Sequence, residues 1–225
     1  MKNCLGLVTI GQTPRPDLET AFRRHAPRAD IRLVGALDGV PGEQIRQMTR
    51  RPAVYPLHTR LADGTVVDIP IAALAPLVEA KAHSLAREGA QLVVVLCAGH
   101  FPEIPCSVPV LLPGKLLPAV VRSVSRTRRL GIVVPNAGQI SAAEVKWTSD
   151  GFTTRVTSAS PFRPEEIEPA ARALADSSLE MIVLDCMGHH GGYRAEFVRR
   201  TGRPVVLAQS LVSRVVGELV SAEDD

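Results

Sequence analysis

The sequence predicts an α/β protein built on mostly parallel β-sheets, for two reasons. Short aliphatic runs alternate with helical patterns along the chain, which is the arrangement of βαβ units. Only 4% of the residues are aromatic whereas 45% are hydrophobic, so Val, Leu, Ile and Ala must build the core. Such aliphatic cores are typical of parallel sheets covered by helices. The 225 residues are enough for one large domain or two small ones.

The elements of the first half follow from these runs and from the residues at their ends. Strands are predicted at residues 5–10, 31–35, 54–57, 65–69, 92–96 and 109–112, and helices at 16–25, 71–88 and 116–126. Pro16 opens the first helix and Gly89 closes the second, both favoured positions for these residues. The runs at 54–57 and 65–69 form a hairpin across residues 62–64. The polar segment 36–51 has no clear pattern.

The second half repeats the layout of the first. Strands are predicted at residues 130–134, 152–156, 181–185 and 204–207, and helices at 139–147, 164–175, 193–200 and 211–219. Each half opens with a strand and a Gly-containing turn, and each later has a Val/Leu strand that runs into a cysteine. The similarity is one of layout rather than of residues, so an internal duplication is a hypothesis.

Composition and charge exclude several classes of function. The net charge of +3 is small, and the Arg residues are scattered, so nucleic acid is not an expected partner. The apolar run at the N-terminus is short and enters a Gly/Pro turn, which favours a strand over a signal peptide. No apolar stretch approaches the roughly 18–20 residues that span a bilayer. We therefore expect a cytoplasmic protein without a membrane partner.

Two of the four cysteines have a context that suggests chemistry. Cys97 follows one aliphatic strand and Cys186 follows another, whereas Cys4 packs in or beside the first strand and Cys106 lies in a Pro-rich loop. Ligands of parallel α/β sheets bind outside the carboxyl ends of the strands, where Cys97 and Cys186 both fall. The alternative for a single cysteine is a small buried hydrophobe, and the repeated context favours function.

Two turns at the same sheet edges could hold an anion. Backbone N–H groups, the Thr13 hydroxyl and the Arg15 guanidinium are suitable donors for a carboxylate, and a second turn in the other half is the counterpart. The alternative is an ordinary βα turn with a solvated Arg15. The candidate ligand-binding residues in these turns are Gly11, Gln12, Thr13, Arg15, Asn136, Ala137, Gly138 and Gln139.

The histidines leave a metal-binding site open as a second interpretation. His100 follows Cys97 by three residues and His189 follows Cys186 by three, a spacing also found at zinc sites. No four-ligand motif is complete, so no metal is predicted. The charge of Asp185 would oppose thiolate formation at Cys186, although its carboxylate could instead orient His189 or His190.

Several segments together resemble the AroM protein family. They are LGLVTIGQTPRPDL, PGKLLPAVVRSV, LGIVVPNAGQ, KW and MIVLDCMGHH, and they span nearly the whole chain. AroM is similar to the aspartate/glutamate/hydantoin racemase superfamily. The resemblance implies two pseudo-symmetric Rossmann-like domains with the active site between them. The first would comprise residues 1–112 and the C-terminal helix 208–225, and the second residues 113–207.

The resemblance also implies a mechanism. In the racemases each domain supplies a strand-end cysteine, and the two thiols exchange a proton at the substrate Cα without a cofactor. Cys97 and Cys186 match these cysteines, and the two turns, with Gly188 and His189, match substrate-binding loops. The implied partner is a small carboxylate or hydantoin-like substrate, and a homo-oligomer is compatible with the sequence.

Two alternatives to the racemase interpretation stay open. One cysteine could act alone, as in the related maleate isomerases and arylmalonate decarboxylases. The chain could also be a non-catalytic protein that binds a small ligand in the same cleft.

Overall fold

The computed structural model describes residues 3–50, 55–176 and 178–220. The chain divides into two compact units, of which the first comprises Met1–Pro113 and Val212–Asp225. The second unit is the continuous segment Gly114–Leu211. Each unit has its own sheet and its own hydrophobic core.

The helices and strands follow one another in a βα pattern. The strands are β1 Cys4–Thr9, β2 Asp30–Gly35, β3 Pro56–Arg60, β4 Val66–Pro70, β5 Leu92–Val95, β6 Val110–Leu111, β7 Arg129–Val134, β8 Thr153–Ser158, β9 Met181–Leu184 and β10 Val205–Leu207. The helices are α1 Pro16–His25, α2 Gly42–Thr49, α3 Ile71–Arg87, α4 Pro113–Val124, α5 Ile140–Ser149, α6 Ile167–Ala173, α7 Gly191–Thr201 and α8 Ala208–Val220. Short 3-10 turns at Ala137–Gln139 and Pro164–Glu166 precede α5 and α6.

The sheet of the first unit is parallel throughout, with strand order β2-β1-β5-β6. All residues of β1 and β5 are buried, because these two strands lie in the middle of the sheet with helices packed against them. Cys4 belongs to this core, as predicted, and burial raises the pKa of its thiol.

The sheet of the second unit has the order β10-β9-β7-β8 and is also parallel. In both units the first strand lies beside the second strand on one side and beside the third on the other, and the fourth strand takes the far edge. The two sheets therefore have the same topology. The predicted α/β fold with two pseudo-symmetric parallel sheets is confirmed.

The first unit carries an additional antiparallel hairpin of β3 and β4. The sequence predicts this hairpin, but both strands extend further toward the C-terminus than expected, and Pro56 pairs with Pro70 at its open end. Prolines are tolerated at such an end because a missing N–H breaks no ladder there. Val54, the predicted start of the first strand, lies outside the described residues.

Helix α2 occupies part of the polar segment in which the sequence shows no clear pattern. Only Ile45 and Met48 of this helix are buried, and they lie three residues apart on one face. Glu43 lies in the first turn, where a negative charge is favoured by the helix dipole. A helix with two buried apolar side chains gives too weak a periodic signal to be found in sequence.

Candidate functional site

The loop after β5 places the Cys97 thiol at the carboxyl edge of the first sheet. The backbone N–H of Leu96 still bonds to Val8 of the central strand at 2.8 Å, and the chain then leaves the sheet. Cys97 is half-buried, and the backbone N–H of Gly99 donates to its Sγ at 3.3 Å. A Cβ added to Gly99 would lie 3.0 Å from Cδ2 of Leu57, so the loop has no room for a side chain there.

The loop after β9 has the same construction in the second unit. The backbone N–H of Asp185 bonds to Val133 of the central strand at 2.9 Å, and Cys186 follows. Cys186 is half-buried, and the backbone N–H of Gly188 donates to its Sγ at 3.3 Å. A Cβ added to Gly188 would lie 3.1 Å from Cγ of Pro161.

We call residues 97–100 and 186–189 the two thiol loops. Each reads Cys-x-Gly-His, begins two residues beyond the last strand residue, and aims the glycine N–H at the sulfur. An N–H donor stabilises negative charge on the atom it faces, so each loop offers a hydrogen-bond donor to a thiolate. Both cysteines could be identified from the sequence, but these N–H groups could not.

The histidines of the two thiol loops differ in their surroundings. His100 is exposed, whereas His189 is fully buried and stacks on Tyr193 with ring centroids 5.2 Å apart. The His189 Nε2 lies 2.8 Å from the Ala159 carbonyl, so this nitrogen carries the proton and donates it. Burial lowers the pKa of His189 to about 4, which keeps the ring neutral near pH 7. Direct contact of His189 with a substrate stays a prediction.

His190 and Tyr193 stabilise the start of α7. The His190 Nδ1 accepts a hydrogen bond from the backbone N–H of Gly192 at 3.1 Å, which makes His190 the N-cap of the helix. The Tyr193 hydroxyl donates to the Ser160 carbonyl at 2.6 Å. Helix α7, which follows the second thiol loop, is therefore capped by His190 and bonded through Tyr193 to Ser160.

Asp185 does not orient either histidine, contrary to one interpretation of the sequence. Its carboxylate accepts hydrogen bonds from the Lys146 ammonium at 3.0 and 2.8 Å and from the Trp147 Nε1 at 2.8 Å. The side chains of Lys146 and Asp185 are each only 2% exposed. In the sequence, Lys146 and Trp147 stand out only as the KW segment of the family resemblance, and no role was predicted for them, because a lysine in a helix is usually at the surface.

The donors of the turn after β1 bind two carboxylates of the chain itself, those of Asp38 and Asp17. Thr13 donates from its backbone N–H at 2.9 Å and from its hydroxyl at 2.8 Å to the Asp38 carboxylate, which also accepts from the Gly35 N–H at 2.7 Å. Arg15 donates through Nε and Nη2 to the two carboxylate oxygens of Asp17 at 2.9 and 2.7 Å. Anion binding by this turn stays a prediction, and its donors already have internal acceptors.

The remaining two residues of this turn contact the hairpin and the end of β2. Gln12 donates to the Leu37 carbonyl at 3.1 Å and accepts from the Ala62 N–H at 3.0 Å. A Cβ on Gly11 would lie 2.1 Å from the Arg60 carbonyl oxygen, so only glycine fits there. Arg15 is 8% exposed, and the alternative of a solvated Arg15 is therefore wrong.

The corresponding turn of the second unit lies between β7 and α5. Ala137 and Gly138 are exposed, Asn136 is half-buried and Gln139 is buried. The three residues after Asn136 form the 3-10 turn that leads into the helix. Binding of a ligand by these four residues stays a prediction.

The described ranges contain neither a cluster of metal-ligating side chains nor a membrane-spanning helix. No group of three or more His, Cys, Asp or Glu side chains among residues 3–50, 55–176 and 178–220 has the geometry to hold a metal ion. In the same ranges, no helix combines the length and apolar character needed to cross a membrane. All four cysteines are free thiols.

Solved structures with the same fold include racemases and a decarboxylase. Glutamate racemase from Aquifex pyrophilus is 16% identical with a TM-score of 0.61, over 97% of this chain and 84% of that one. Allantoin racemase from Klebsiella pneumoniae is 18% identical with a TM-score of 0.65, over 97% and 88%. A double mutant of arylmalonate decarboxylase is 13% identical with a TM-score of 0.66, over 100% and 94%. At these identities the similarity establishes the fold alone.

Sequence comparison identifies the family. No curated protein matches the chain. The family model described as AroM protein matches residues 5–220, which is nearly the full length. The chain therefore belongs to the AroM protein family.

Proposed function

We propose that this protein is a cofactor-independent racemase or epimerase, with Cys97 and Cys186 as its acid and base. The substrate would be a small carboxylate or hydantoin-like compound with an acidic proton at Cα. The observation that carries the proposal is the shared construction of the two thiol loops, in which a half-buried sulfur accepts an N–H bond at 3.3 Å.

The chemistry requires one thiolate and one thiol. The thiolate removes the Cα proton and becomes a thiol, and the other thiol gives its proton to the opposite face of the carbanion and becomes a thiolate. No electron is transferred and no atom is lost, so the reaction needs no cofactor. A free thiol has a pKa near 8.5 and is about a few per cent ionised at neutral pH, and the glycine N–H groups increase that fraction.

The repeated topology supports the use of two thiols. Inversion at a carbon atom needs an acid and a base on opposite faces. A chain whose units share one strand order, with a thiol loop after the third strand of each sheet, supplies two equivalent groups. The racemases with the same fold support this class of reaction as an expectation for the AroM chain.

Exchange of the Cα proton tests the proposal directly. A panel of amino acids, 2-substituted carboxylates and hydantoins is incubated with the protein in heavy water, and loss of the Cα proton signal is followed by NMR. We expect Cys97→Ser and Cys186→Ser each to slow the Cα exchange by at least about a hundredfold, in line with removal of a general acid or base.

Cys106→Ser is the matched control, because Cys106 is also half-buried but lies outside the thiol loops. It should retain the wild-type rate. Full exchange activity in both single thiol-loop variants would contradict the two-thiol mechanism. Loss of activity in Cys186→Ser alone would indicate a reaction with one cysteine, and saturable binding without turnover across the panel would indicate a ligand-binding protein.

A further inference from the structure

We propose that Lys146 is a positioning residue that sets the charge beside Cys186 by neutralising Asp185. The inference rests on the proposed function for its biological meaning, since it concerns one of the two thiols. The inference can be tested without a substrate, because it concerns the ionisation of the Cys186 thiol.

The first step is the position of Asp185. Its backbone N–H is the last to bond to the central strand of the second sheet, and Cys186 is the next residue. An isolated carboxylate at this place would oppose formation of a thiolate on the neighbouring residue. It would also be costly to bury, because Asp185 is 6% exposed.

The second step is the partner that α5 supplies. The Lys146 Nζ lies within 3.0 Å of both carboxylate oxygens, and Trp147 donates its indole N–H to one of them. The same ammonium lies 5.1 Å from the centre of the Trp147 ring, a favourable place for a cation. The carboxylate is thus neutralised and fixed in orientation by two consecutive residues of one helix.

The third step is the absence of such a pair in the other thiol loop. Leu96 occupies the position before Cys97, and its backbone makes the equivalent bond to the central strand. An apolar side chain there brings no charge to neutralise. Lys146 is therefore needed only because the second loop carries an aspartate where the first carries a leucine.

Three other titratable groups lie around the second thiol loop: His189, His190 and Glu166. His189 is neutral near pH 7 because burial lowers its pKa to about 4. His190 is exposed at the start of α7, and Glu166 accepts from the Ser160 N–H in the segment that packs against Tyr193. The Asp185 charge favours protonation of His189, but burial outweighs it.

The test is the pH profile of Cys186 alkylation by iodoacetamide. Tryptic residues 173–194 contain Cys186 as their single cysteine, so mass spectrometry measures this thiol alone. We expect Lys146→Met to slow alkylation at pH 7 by about fivefold and Asp185→Asn to accelerate it by a similar factor. Rates at alkaline pH, where the thiol is fully ionised, should be unchanged in both.

The controls separate charge from structure. Lys146→Arg should restore the profile, and the double variant Lys146→Met/Asp185→Asn should resemble the wild type because both charges are gone. Arg122→Met removes a cation from a partly exposed pair with Asp150 in the same unit and should have no effect. If Lys146→Met does not fold, Lys146→Gln replaces it, since its amide still donates without carrying charge.

Unchanged profiles in the folded single variants, or shifts in the same direction, would overturn the inference. This outcome is distinct from failure of the proposed function. A chain without racemase activity can still show the opposite shifts. Conversely, alkylation profiles that the variants leave unchanged would not contradict Cα exchange by the wild type.

Discussion

The two thiol loops have one backbone design and two different environments. In both, a strand-end cysteine accepts an N–H bond from a glycine two residues later. The first loop is preceded by Leu96 and ends in an exposed His100, whereas the second is preceded by the buried Asp185 and ends in the buried His189. The backbone thus defines where the sulfur lies, and the flanking side chains determine how charge is distributed around it.

The largest expected effect comes from breaking the buried ion pair of the second loop. Lys146→Met leaves Asp185 without its cation, and we expect the free energy of unfolding to fall by about 3–5 kcal/mol. Lys146→Met/Asp185→Leu gives the second loop the residue type of the first and should recover most of that loss. Urea denaturation measures both values.

The partly exposed pair of Arg122 and Asp150 in the same unit is the reference for this comparison. Arg122→Met should change the free energy of unfolding by less than about 1 kcal/mol, because an exposed ion pair contributes little. Equal losses of stability in Lys146→Met and Arg122→Met would mean that burial of the Lys146–Asp185 pair makes no difference to the free energy of unfolding.

The next effect is a pH dependence that only the second loop should show. The folded-state pKa of His189, about 4, lies below the value near 6.5 of an unfolded chain, so protonation favours unfolding. Stability from this group is complete above pH 6.5 and decreases as the pH falls toward 4, by about 3 kcal/mol. Unfolding free energies measured between pH 4 and pH 7.5 give this slope.

Variants at His189 and His100 test which histidine causes the change of unfolding free energy with pH. His189→Gln keeps a donor for the Ala159 carbonyl but does not titrate, so the difference in stability between pH 7 and pH 4 should shrink by about 3 kcal/mol. His100→Gln changes an exposed ring of the first loop and should leave the slope as it is. A wild-type slope in His189→Gln would show that another group is responsible.

The smallest effect addresses the feature that both loops share. A Cβ on Gly99 would meet Leu57 at 3.0 Å, and one on Gly188 would meet Pro161 at 3.1 Å. We expect each Gly→Ala variant to lose about 1–3 kcal/mol of stability through overpacking. The loss should be accompanied by slower alkylation of the adjacent cysteine at pH 7, since the N–H group moves away from the sulfur.

Gly191 provides the matched control for these two variants. A Cβ added there has no atom within 4 Å, and the residue opens α7. Gly191→Ala should be neutral or stabilise the fold by up to about 1 kcal/mol, because alanine restricts the unfolded chain. A loss as large as that of Gly188→Ala would point to the helix start rather than to the thiol loop.

The sequence predicts the parts of this molecule that repeat a strong local pattern. Aliphatic runs such as 92–95 and 181–184 are long enough to be identified as central strands, and a cysteine after each stands out against them. Helix α2 could not be identified, because Ile45 and Met48 are too few to define a period. The parallel sheets follow from the alternation of strands and helices, and the family match agrees with the resemblance.

The surroundings of the thiols were less accessible to sequence reasoning. A bond between Lys146 and Asp185 joins residues 39 positions apart, and no local pattern distinguishes a buried lysine from an exposed one. Asp38 lies in the segment without a pattern, yet it takes up the donors of Thr13 that were assigned to a ligand. Tertiary partners of polar side chains depend on the assembled fold, and they were found only there.

The division of the chain into units has a genetic consequence. The second unit is an uninterrupted stretch of the sequence, so it reads as an insertion into the first, whose residues come from both ends of the chain. The side chain of Asn3 donates to the Val220 carbonyl at 2.7 Å, and Gly217 lies so close to His25 that a Cβ would meet its carbonyl at 2.5 Å. A nonsense mutation that removes residue 212 and those after it would therefore damage the unit whose other residues are translated first.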